Sequence, residues 1–584
     1  MTALQNVFER DIASRVGAAI GRAPAEVAPL IEVPKDAKLG DYAFPCFTLA
    51  KALRKAPPAI AKEVVEKIAA AGRSPLFGGV EAAGPYVNFR VDPGAFARLV
   101  LEAVREQGDR YGGTDEGRGR TVVIDYSSPN IAKRFHVGHL RTTVIGAALY
   151  RIFAALGYKP VGVNHLGDWG TQFGQLQAAW KKWGDEARLE QDPIGYLTEL
   201  YVRQNKAASE DRAVEAEGRA WFKRLEERDP EARALWQRFR DLSLREFQRI
   251  YDLLEVKFDS LAGESFYEDR MEAAIERCRQ AGIVDVGEGG ALIVDLKARL
   301  DLDVPPFMLR KSDGATTYAT RDLAAALYRL ETYDPARLLY VVGLPQRDHL
   351  CALAAVVKLL GCSVPLVHVG FGHVLGMSTR EGTAILLDEV FGRALDLARA
   401  TVREKNPELP AEQVDDVARA VGIGAIVFND LRNDRVKDVT FNWERMTAFE
   451  GDTGPYLQYT HVRLCGILRK FADERGEAAG GGAGGRGTDA DPALLVEPET
   501  KTLLRAIEIY PRRVSSAGAE AEPSIVSRHL LEIAAAFNAF YHAHRVVGAD
   551  TEALERARVA LVEATRTVLA NGLRLLGIFP LERM

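Results

Sequence analysis

The chain has 584 residues, too many for one hydrophobic core, and at about 100–200 residues per domain three or four domains are expected. Its 47% hydrophobic and 27% charged residues exclude a disordered or fibrous chain. No run approaches the ~18 apolar residues of a membrane span, and the N-terminus lacks the basic start and apolar block of a signal peptide, so a cytoplasmic protein is expected. The net charge of −5 gives no basic footprint, so any nucleic-acid contact must come from local patches.

In chain order, a helical pattern opens the sequence (Leu4, Val7, Phe8, Ile12). Residues 57–71 read as an amphipathic helix with Pro57 and Pro58 in its first turn, where proline is tolerated. Residues 86–91 alternate Val87, Phe89 and Val91 with Asn88 and Arg90, a strand pattern. Together, residues 1–112 form an expected α+β domain. A β-branched run at 121–126 predicts a buried strand. Turn chemistry follows at 127–134, then a helix over 136–156 with Gly157 as C-terminal cap and Pro160 beyond it. Further strands are expected at 161–163, 338–342 and 366–369. Strands alternating with helices predict a parallel, Rossmann-like α/β catalytic domain over 113–384. Its stretch of about 185–260, rich in Glu, Arg, Gln and Ala, reads as a helical insertion. Residues 385–450 read as a helical connecting region and 451–584 as an all-α domain ending in helices at 527–542 and 552–576. From about residue 410 onward almost everything is predicted helical, apart from a glycine-rich surface loop at 476–487.

Five cysteines, Cys46, Cys278, Cys351, Cys362 and Cys465, are scattered and include no CxxC pair. Buried, reduced thiols are expected, without a disulfide framework or structural metal.

The strongest local signal is Ser127-Ser128-Pro129-Asn130-Ile131-Ala132-Lys133-Arg134-Phe135-His136-Val137-Gly138-His139, between a predicted strand and a predicted helix. Ligands bind at the carboxyl ends of parallel strands, and a helix N-terminus offers free N–H groups to phosphates. His136 and His139 are three apart and share a helix face. Gly138 would let a nucleotide approach the backbone. On spacing alone the two histidines could serve phosphate, bind metal or be structural, and a metal would need a further ligand that no nearby pattern supplies.

The His136–Gly138–His139 stretch resembles the HIGH signature of class I aminoacyl-tRNA synthetases, and its longer context resembles the arginine-specific branch. Further matches follow in order. They are Asn164-His165-Leu166-Gly167-Asp168-Trp169-Gly170-Thr171-Gln172-Phe173-Gly174, Lys311-Ser312-Asp313-Gly314, and Tyr318-Ala319-Thr320-Arg321-Asp322. Gly376-Met377-Ser378-Thr379-Arg380 stands in the place of the second signature, KMSKS. Phe428-Asn429-Asp430-Leu431, Gly451-Asp452-Thr453-Gly454-Pro455-Tyr456 and the closing Leu575-Leu576-Gly577-Ile578 and Glu582-Arg583-Met584 continue it, and Gly40-Asp41-Tyr42 and Ala83-Gly84-Pro85 extend it into the first domain.

The resemblance implies ATP-dependent attachment of L-arginine to tRNA(Arg) through an arginyl-adenylate, with ATP entering as its Mg2+ complex. It implies an N-terminal domain touching tRNA and a C-terminal anticodon-binding domain. Nothing in the sequence suggests an obligate dimer, and a monomer is expected. His136 and His139 are expected to act on the phosphates, with Gly138, Gly343, Met377 and Ser378 around ATP. The guanidinium is expected at Asp125 and Asp322 with Tyr318, and the α-amino and carboxylate groups at Asn130 and Gln346. A planar fork of donors suits carboxylates bidentately. The sequence departs from the family pattern in two places. The second signature lacks its second lysine, so Lys133 or Arg380 is expected to supply the charge, and Arg134 stands where proline is usual. The stretch 537–545 interleaves aromatics with His and Arg, which makes Tyr541, His542 and Arg545 candidate tRNA contacts, whereas Phe537 and Phe540 are expected in the core. The alternatives are an inactive paralogue that binds RNA, a nucleotidylyltransferase using the HxGH loop, and a synthetase for another amino acid, against which Tyr318 and Asp322 argue.

Overall fold

The computed structural model describes residues 3–34, 36, 39–375, 386–475 and 490–584. The glycine-rich loop expected at 476–487 lies outside them. In the N-terminal part, β1 (Tyr42–Pro45), β2 (Phe77–Ala83) and β3 (Tyr86–Val91) form an antiparallel sheet ordered β1-β3-β2. The helices Ala3–Ile20, Pro57–Ala70 and Pro93–Gln107 belong to the same unit. Phe8 gathers the rings of Tyr42, Phe77 and Phe96 around it. β3 stands where its alternation places it. β2 was not legible in sequence because FGGVEAA carries two glycines and a register shift instead of an alternating apolar face.

The chain then builds β4 (Thr121–Asp125), the helix Val137–Ala155 and β5 (Lys159–Val163). A small antiparallel sheet follows: β6 (Asp285–Val286), β7 (Leu292–Val294) and β8 (Phe307–Arg310). β9 (Arg337–Tyr340) and β10 (Leu366–His368) return to the first sheet, which is wholly parallel in the order β10-β9-β4-β5. Gly157 takes φ 75°, the left-handed geometry expected of a residue ending a helix. Pro160, expected as punctuation before the next strand, lies inside β5, paired opposite Val122. β5 is the edge of the sheet, where a missing N–H leaves no ladder bond unmade.

Between β5 and β6 the insertion folds as four helices, Glu186–Gln191, Pro193–Glu210, Arg212–Glu226 and Pro230–Leu253. Beyond the parallel sheet, β11 (Val374–Leu375) pairs in parallel with β12 (Val439–Thr440). The region after residue 410 is therefore interrupted by a strand that its helical composition did not announce. It needs a partner 65 residues away in sequence, and a two-residue strand leaves no periodicity to read. Six long helices, Leu387–Lys405, Ala411–Leu431, Gly454–Arg475, Pro498–Glu520, Ser524–Ala543 and Glu552–Leu576, complete the chain. One hydrophobic cluster runs from the N-terminal unit through the parallel sheet to the C-terminal helices and includes Phe8, Ile124, Leu149, Ile507 and Leu569, and a second holds Val294, Phe307 and Leu309 of the small sheet. Cys46, Cys278 and Cys465 are buried as expected, but Cys351, in the helix Arg347–Leu359, is exposed, and Cys362, just beyond that helix, is only partly covered.

A buried ion pair joins these parts. Arg141, on the helix after β4, reaches Asp430 at 2.9 Å, with both side chains 1% exposed. Its remaining N–H groups donate to the carbonyls of Gly372, Lys437 and Arg435. One guanidinium thus ties the helix Val137–Ala155 to the helix Ala411–Leu431 and to both approaches of the β11–β12 pair. Removing one partner of a buried, hydrogen-bonded pair leaves an uncompensated charge and costs about 3–5 kcal/mol. Arg141→Ala should lose that much in denaturant unfolding followed by tryptophan fluorescence. A loss below about 1 kcal/mol, the range of exposed pairs, would contradict the assignment.

Candidate active site

The parallel strands end on one edge, and the turn after β4 occupies it. This turn is unusual in its backbone. Ser127 (φ 71°), Ser128 (φ 49°) and Ala132 (φ 58°) all adopt the left-handed region, which is costly for residues with a Cβ. Each N–H there is captured by a side chain: Ser127 by Thr142 Oγ1 at 3.0 Å, Ser128 by Asn164 Oδ1 at 3.1 Å and Ala132 by Ser243 Oγ at 2.8 Å. Asn130 lies across Gly167, where any Cβ would fall 1.9 Å from its Oδ1. The Asn164–Gly174 motif therefore serves partly to make room for the signature turn.

His136 caps the helix Val137–Ala155. The His136 N–H donates to His139 Nδ1 at 3.2 Å, and the Gly138 N–H donates to His136 Nδ1 at 3.1 Å. Both Nδ1 atoms are acceptors, so both neutral rings carry their proton on Nε2. The ring centroids are 3.9 Å apart. Burial, the neighbouring His136 and the charge of Lys133 push His139 down to about 3. Burial and Lys133 also lower His136. The pair presents two neutral N–H donors at a helix N-terminus. The space beside the Gly138 α-carbon, expected to admit a nucleotide, is filled by the His136 ring, 2.9 Å from where a Cβ would lie.

A cavity of about 1150 Å³ is lined by Tyr318, Gln346, His349, Glu264 and Trp169, among others. Tyr318 opens the helix Tyr318–Tyr333, and Asp322 follows one turn later on the same face. The Asp322 carboxylate accepts a 2.7 Å hydrogen bond from His349 Nε2 and lies 3.9 Å from His165 Nε2. Gly343 follows β9, with nothing closer to its missing Cβ than Pro345 Cδ at 3.5 Å. Asn130 and Gln346 are exposed, Gln346 on the cavity and Asn130 on the signature turn. Lys133 is exposed and lines a separate cavity of about 270 Å³ between the signature turn and the helix Pro230–Leu253. Its charge nevertheless reaches both histidines. Arg134 pairs with Asp192 at the start of the insertion helix Pro193–Glu210. Met377, Ser378 and Arg380 lie outside the described residues. The flanks of their segment do reach the site, since the Leu387 N–H donates to the Phe135 carbonyl and Leu386 bridges to His136.

Asp125 departs from expectation. Its Oδ2 lies 2.7 Å from Arg329 Nη1, its Oδ1 accepts from Ser128 Oγ, and its side chain is 6% exposed. Burial opposes the charge on Arg329, yet Asp125, Tyr340 and Tyr267 hold it firmly protonated. Both carboxylate oxygens thus already have a partner within the protein, and the Arg329 guanidinium occupies one of them. Sequence could not reveal this, because Arg329 is 204 residues away. The structure also brings Glu264 to the cavity wall. Burial raises Glu264 to about 7, with Arg321 opposing and Asp322 and Asp168 adding to the rise. The signal was present in the motif's Asp168, which accepts from the N–H and Oγ of Ser265 and so fixes the residue beside it.

On the C-terminal helices, Phe537 and Phe540 are fully buried as expected. Tyr541 is 39% exposed and stacks on Phe537. Arg463 lies between it and Tyr459, 5.9 Å and 5.2 Å from the two ring centroids. This arginine and Tyr459 were not anticipated, although their spacing of four places them on one helix face. His542 and Arg545 are exposed, and Arg545 Nε turns back to the Val547 carbonyl.

Comparison with known proteins adds three family matches. "tRNA synthetases class I (R), catalytic domain" matches residues 101–443, "Arginyl tRNA synthetase N terminal domain" residues 4–91, and "DALR anticodon binding domain" residues 457–584. A relative named arginine–tRNA ligase from Clostridioides difficile (strain 630) is 46% identical over 565 residues, covering 96% of each chain. A solved arginyl-tRNA synthetase from Thermus thermophilus superposes with a TM-score of 0.75 at 26% identity, covering 99% of this chain and 100% of that one. One from Plasmodium falciparum, at 22% identity, shares the fold with a TM-score of 0.77 and 99% coverage of both chains.

The geometry of the histidine pair predicts its protonation. Nitrogen-15 NMR of histidine-labelled protein should show His139 neutral, with its proton on Nε2, down to pH values far below 6.5, because its pKa is lowered to about 3. A titration near pH 6.5, the range of a solvated histidine, would contradict the cap geometry.

Proposed function

The chain belongs to the arginine-specific class I tRNA synthetases, and from that premise we propose how its residues divide the work. The protein is an enzyme that attaches arginine to tRNA. ATP enters as its Mg2+ complex, a substrate of the reaction. Among the described residues no cluster of three or more His, Cys, Asp or Glu side chains is arranged to hold a metal.

The observation that carries the reading is the pair of Nε2–H donors at the carboxyl edge of the sheet. Activation of arginine needs its carboxylate to attack the α-phosphate, with pyrophosphate leaving. Charge shifts among phosphate oxygens as this happens, and preorganised donors aimed at them lower the barrier. His136 and His139 are such donors. Because they are neutral, the added positive charge comes from Lys133, which stands in the same turn. Arg380, Met377 and Ser378 are proposed to face the nucleotide from the segment joining β11 to Leu386. Gly343 is proposed to lie against the nucleotide, with Gly138 there only to seat the His136 ring.

The guanidinium is assigned to Glu264 and Tyr318 at the cavity wall and to Asp322 behind His349, with Gln346 and Asn130 toward the amino and carboxylate groups. Asp125 is assigned to holding Arg329 and the turn. The domain division at 112, 384 and 450 separates a tRNA-contacting N-terminal part, a catalytic part, a helical connection and an anticodon-reading part. In the last, Tyr541, His542 and Arg545, joined by Tyr459 and Arg463, offer π-faces and donors for unstacked bases. A single copy working in the cytoplasm is proposed.

Arginine- and tRNA-dependent ATP–pyrophosphate exchange tests the reading. His136→Ala and His139→Ala should each lower kcat by about 100–1000-fold, and Lys133→Ala by about tenfold or more, the loss expected for a donor removed from developing charge. Exchange unaffected by either histidine variant would sink the phosphate assignment, and a loss under about tenfold would remove Lys133 from the transition state. The arginine site carries its own signature. A cation binds best to ionised Glu264, whose pKa is raised to about 7. The KM for arginine should therefore rise as pH falls below 7, by up to about tenfold per pH unit. Glu264→Gln should raise KM and flatten this dependence, and an unchanged slope would exclude Glu264 from the site.

A further inference from the structure

The histidine turn is built against a helix of the insertion, and we propose that Ser243, Phe247 and Tyr251 of the helix Pro230–Leu253 are positioning residues for the ATP step. The proposal deepens the reading above and rests on the assignment of His136 and His139 to the phosphates. The three residues are spaced by four and lie on one helix face. All are buried, at 0%, 2% and 2% exposure.

Each holds a different point of the turn. Ser243 Oγ accepts the N–H of left-handed Ala132 at 2.8 Å while donating to its own helix at Phe239 O. Ala132 directly precedes Lys133. Phe247 packs edge-on against Phe135 with centroids 5.2 Å apart, and Phe135 in turn lies 5.0 Å from the His139 ring. The Tyr251 hydroxyl is 2.9 Å from Ser127 Oγ and accepts from Asn164 Nδ2 at 2.9 Å. Asn164 is the residue whose Oδ1 caps the N–H of left-handed Ser128. Two of the three strained positions are thus secured through this one stripe, and the third residue, Ser127, is gripped by its side chain.

Packing alone does not ask for these hydroxyls. Alanine and phenylalanine would fill the same space, and a buried hydroxyl is tolerated only where it is hydrogen-bonded. Their bonds go to the turn that carries Lys133, His136 and His139. On its outer side the same helix reaches the element that follows residues 376–385, since Arg249 pairs with Asp388 at 2.8 Å. The insertion therefore holds the signature turn in register with the return of the chain to the site. In a site that works by positioning, a displacement of about 1 Å can cost about a hundredfold in rate.

The test compares Ser243→Ala and Tyr251→Phe with Gln177→Ala in the full-length enzyme. Gln177 Nε2 donates to Ala232 O at 2.7 Å and so holds the first turn of the same helix, away from the signature turn. In arginine- and tRNA-dependent pyrophosphate exchange, the first two variants should lower kcat by about tenfold with the KM for arginine within about twofold of the parent. Gln177→Ala should lower Tm at least as much and keep kcat within about twofold. The proposal is overturned if both hydroxyl deletions keep the parental kcat, or if Gln177→Ala lowers kcat as far as they do. His139→Ala runs alongside. If it alone leaves exchange intact, the phosphate assignment has failed and takes the stripe's role with it. If it abolishes exchange while the stripe variants do not, only the stripe proposal has failed.

Discussion

Between β4 and the helix Val137–Ala155 the backbone makes a turn that no relaxed chain would choose. Three residues with side chains sit at positive φ within six positions. Such strain persists only where the surroundings over-determine it, and here each strained N–H has a dedicated side-chain acceptor drawn from a different element. The result is a helix that begins at His136 with both imidazoles turned so that Nδ1 is spent on the backbone. The chemistry of the site follows from that economy of atoms. With Nδ1 occupied, each ring has one free nitrogen, it carries a proton, and burial keeps the rings neutral near pH 7.

The charges around this turn are arranged in two layers. The inner layer is closed. Asp125 and Arg329 neutralise each other beneath the sheet edge, and Arg329 also donates to His165 Nδ1 at 3.2 Å. That bond leaves the His165 proton on Nε2, facing Asp322. The outer layer is open. Asp322 is held by His349, and Glu264 lies on the cavity wall with its pKa lifted toward neutrality. Arg321 stands 3.6 Å from the Glu264 carboxylate, yet desolvation outweighs its charge and favours the protonated form. Beside a guanidinium, Glu264 would be drawn to its ionised form. Lysine, with three rotatable donors and no planar fork, would leave part of such a site unpaired, which is how a polar pocket discriminates strongly.

The same segment of chain after β10 is held twice by arginines. Arg141 takes the carbonyl of Gly372. Arg435 takes that of Gly370 while also donating to Ala521 O, and its own N–H donates to Glu522. Ala521 ends the helix Pro498–Glu520 of the C-terminal part. Catalytic and C-terminal elements therefore meet through planar groups that offer several donors in fixed directions. One lysine could not satisfy as many carbonyls at once.

Much of this was legible in the sequence because the signals were local. The β-branched run read at 121–126, the helical periodicity read over 136–156, the glycine ending that helix and the apolar faces of the final helices are properties of a few consecutive residues. The ordered motifs around His136, Asp168, Tyr318 and Tyr456 likewise identified the family without coordinates. What sequence could not supply were pairings across long separations. That Asp125 belongs to Arg329, that Glu264 completes the cavity, that Arg463 joins Tyr541, and that Ser243 and Tyr251 brace a turn more than a hundred residues away all depend on which surfaces meet when the cores close. A single chain carries no periodicity that encodes such encounters. Residue types and spacing set which groups were on hand, and only tertiary packing decided which of them were already spent on one another and which were left for substrate.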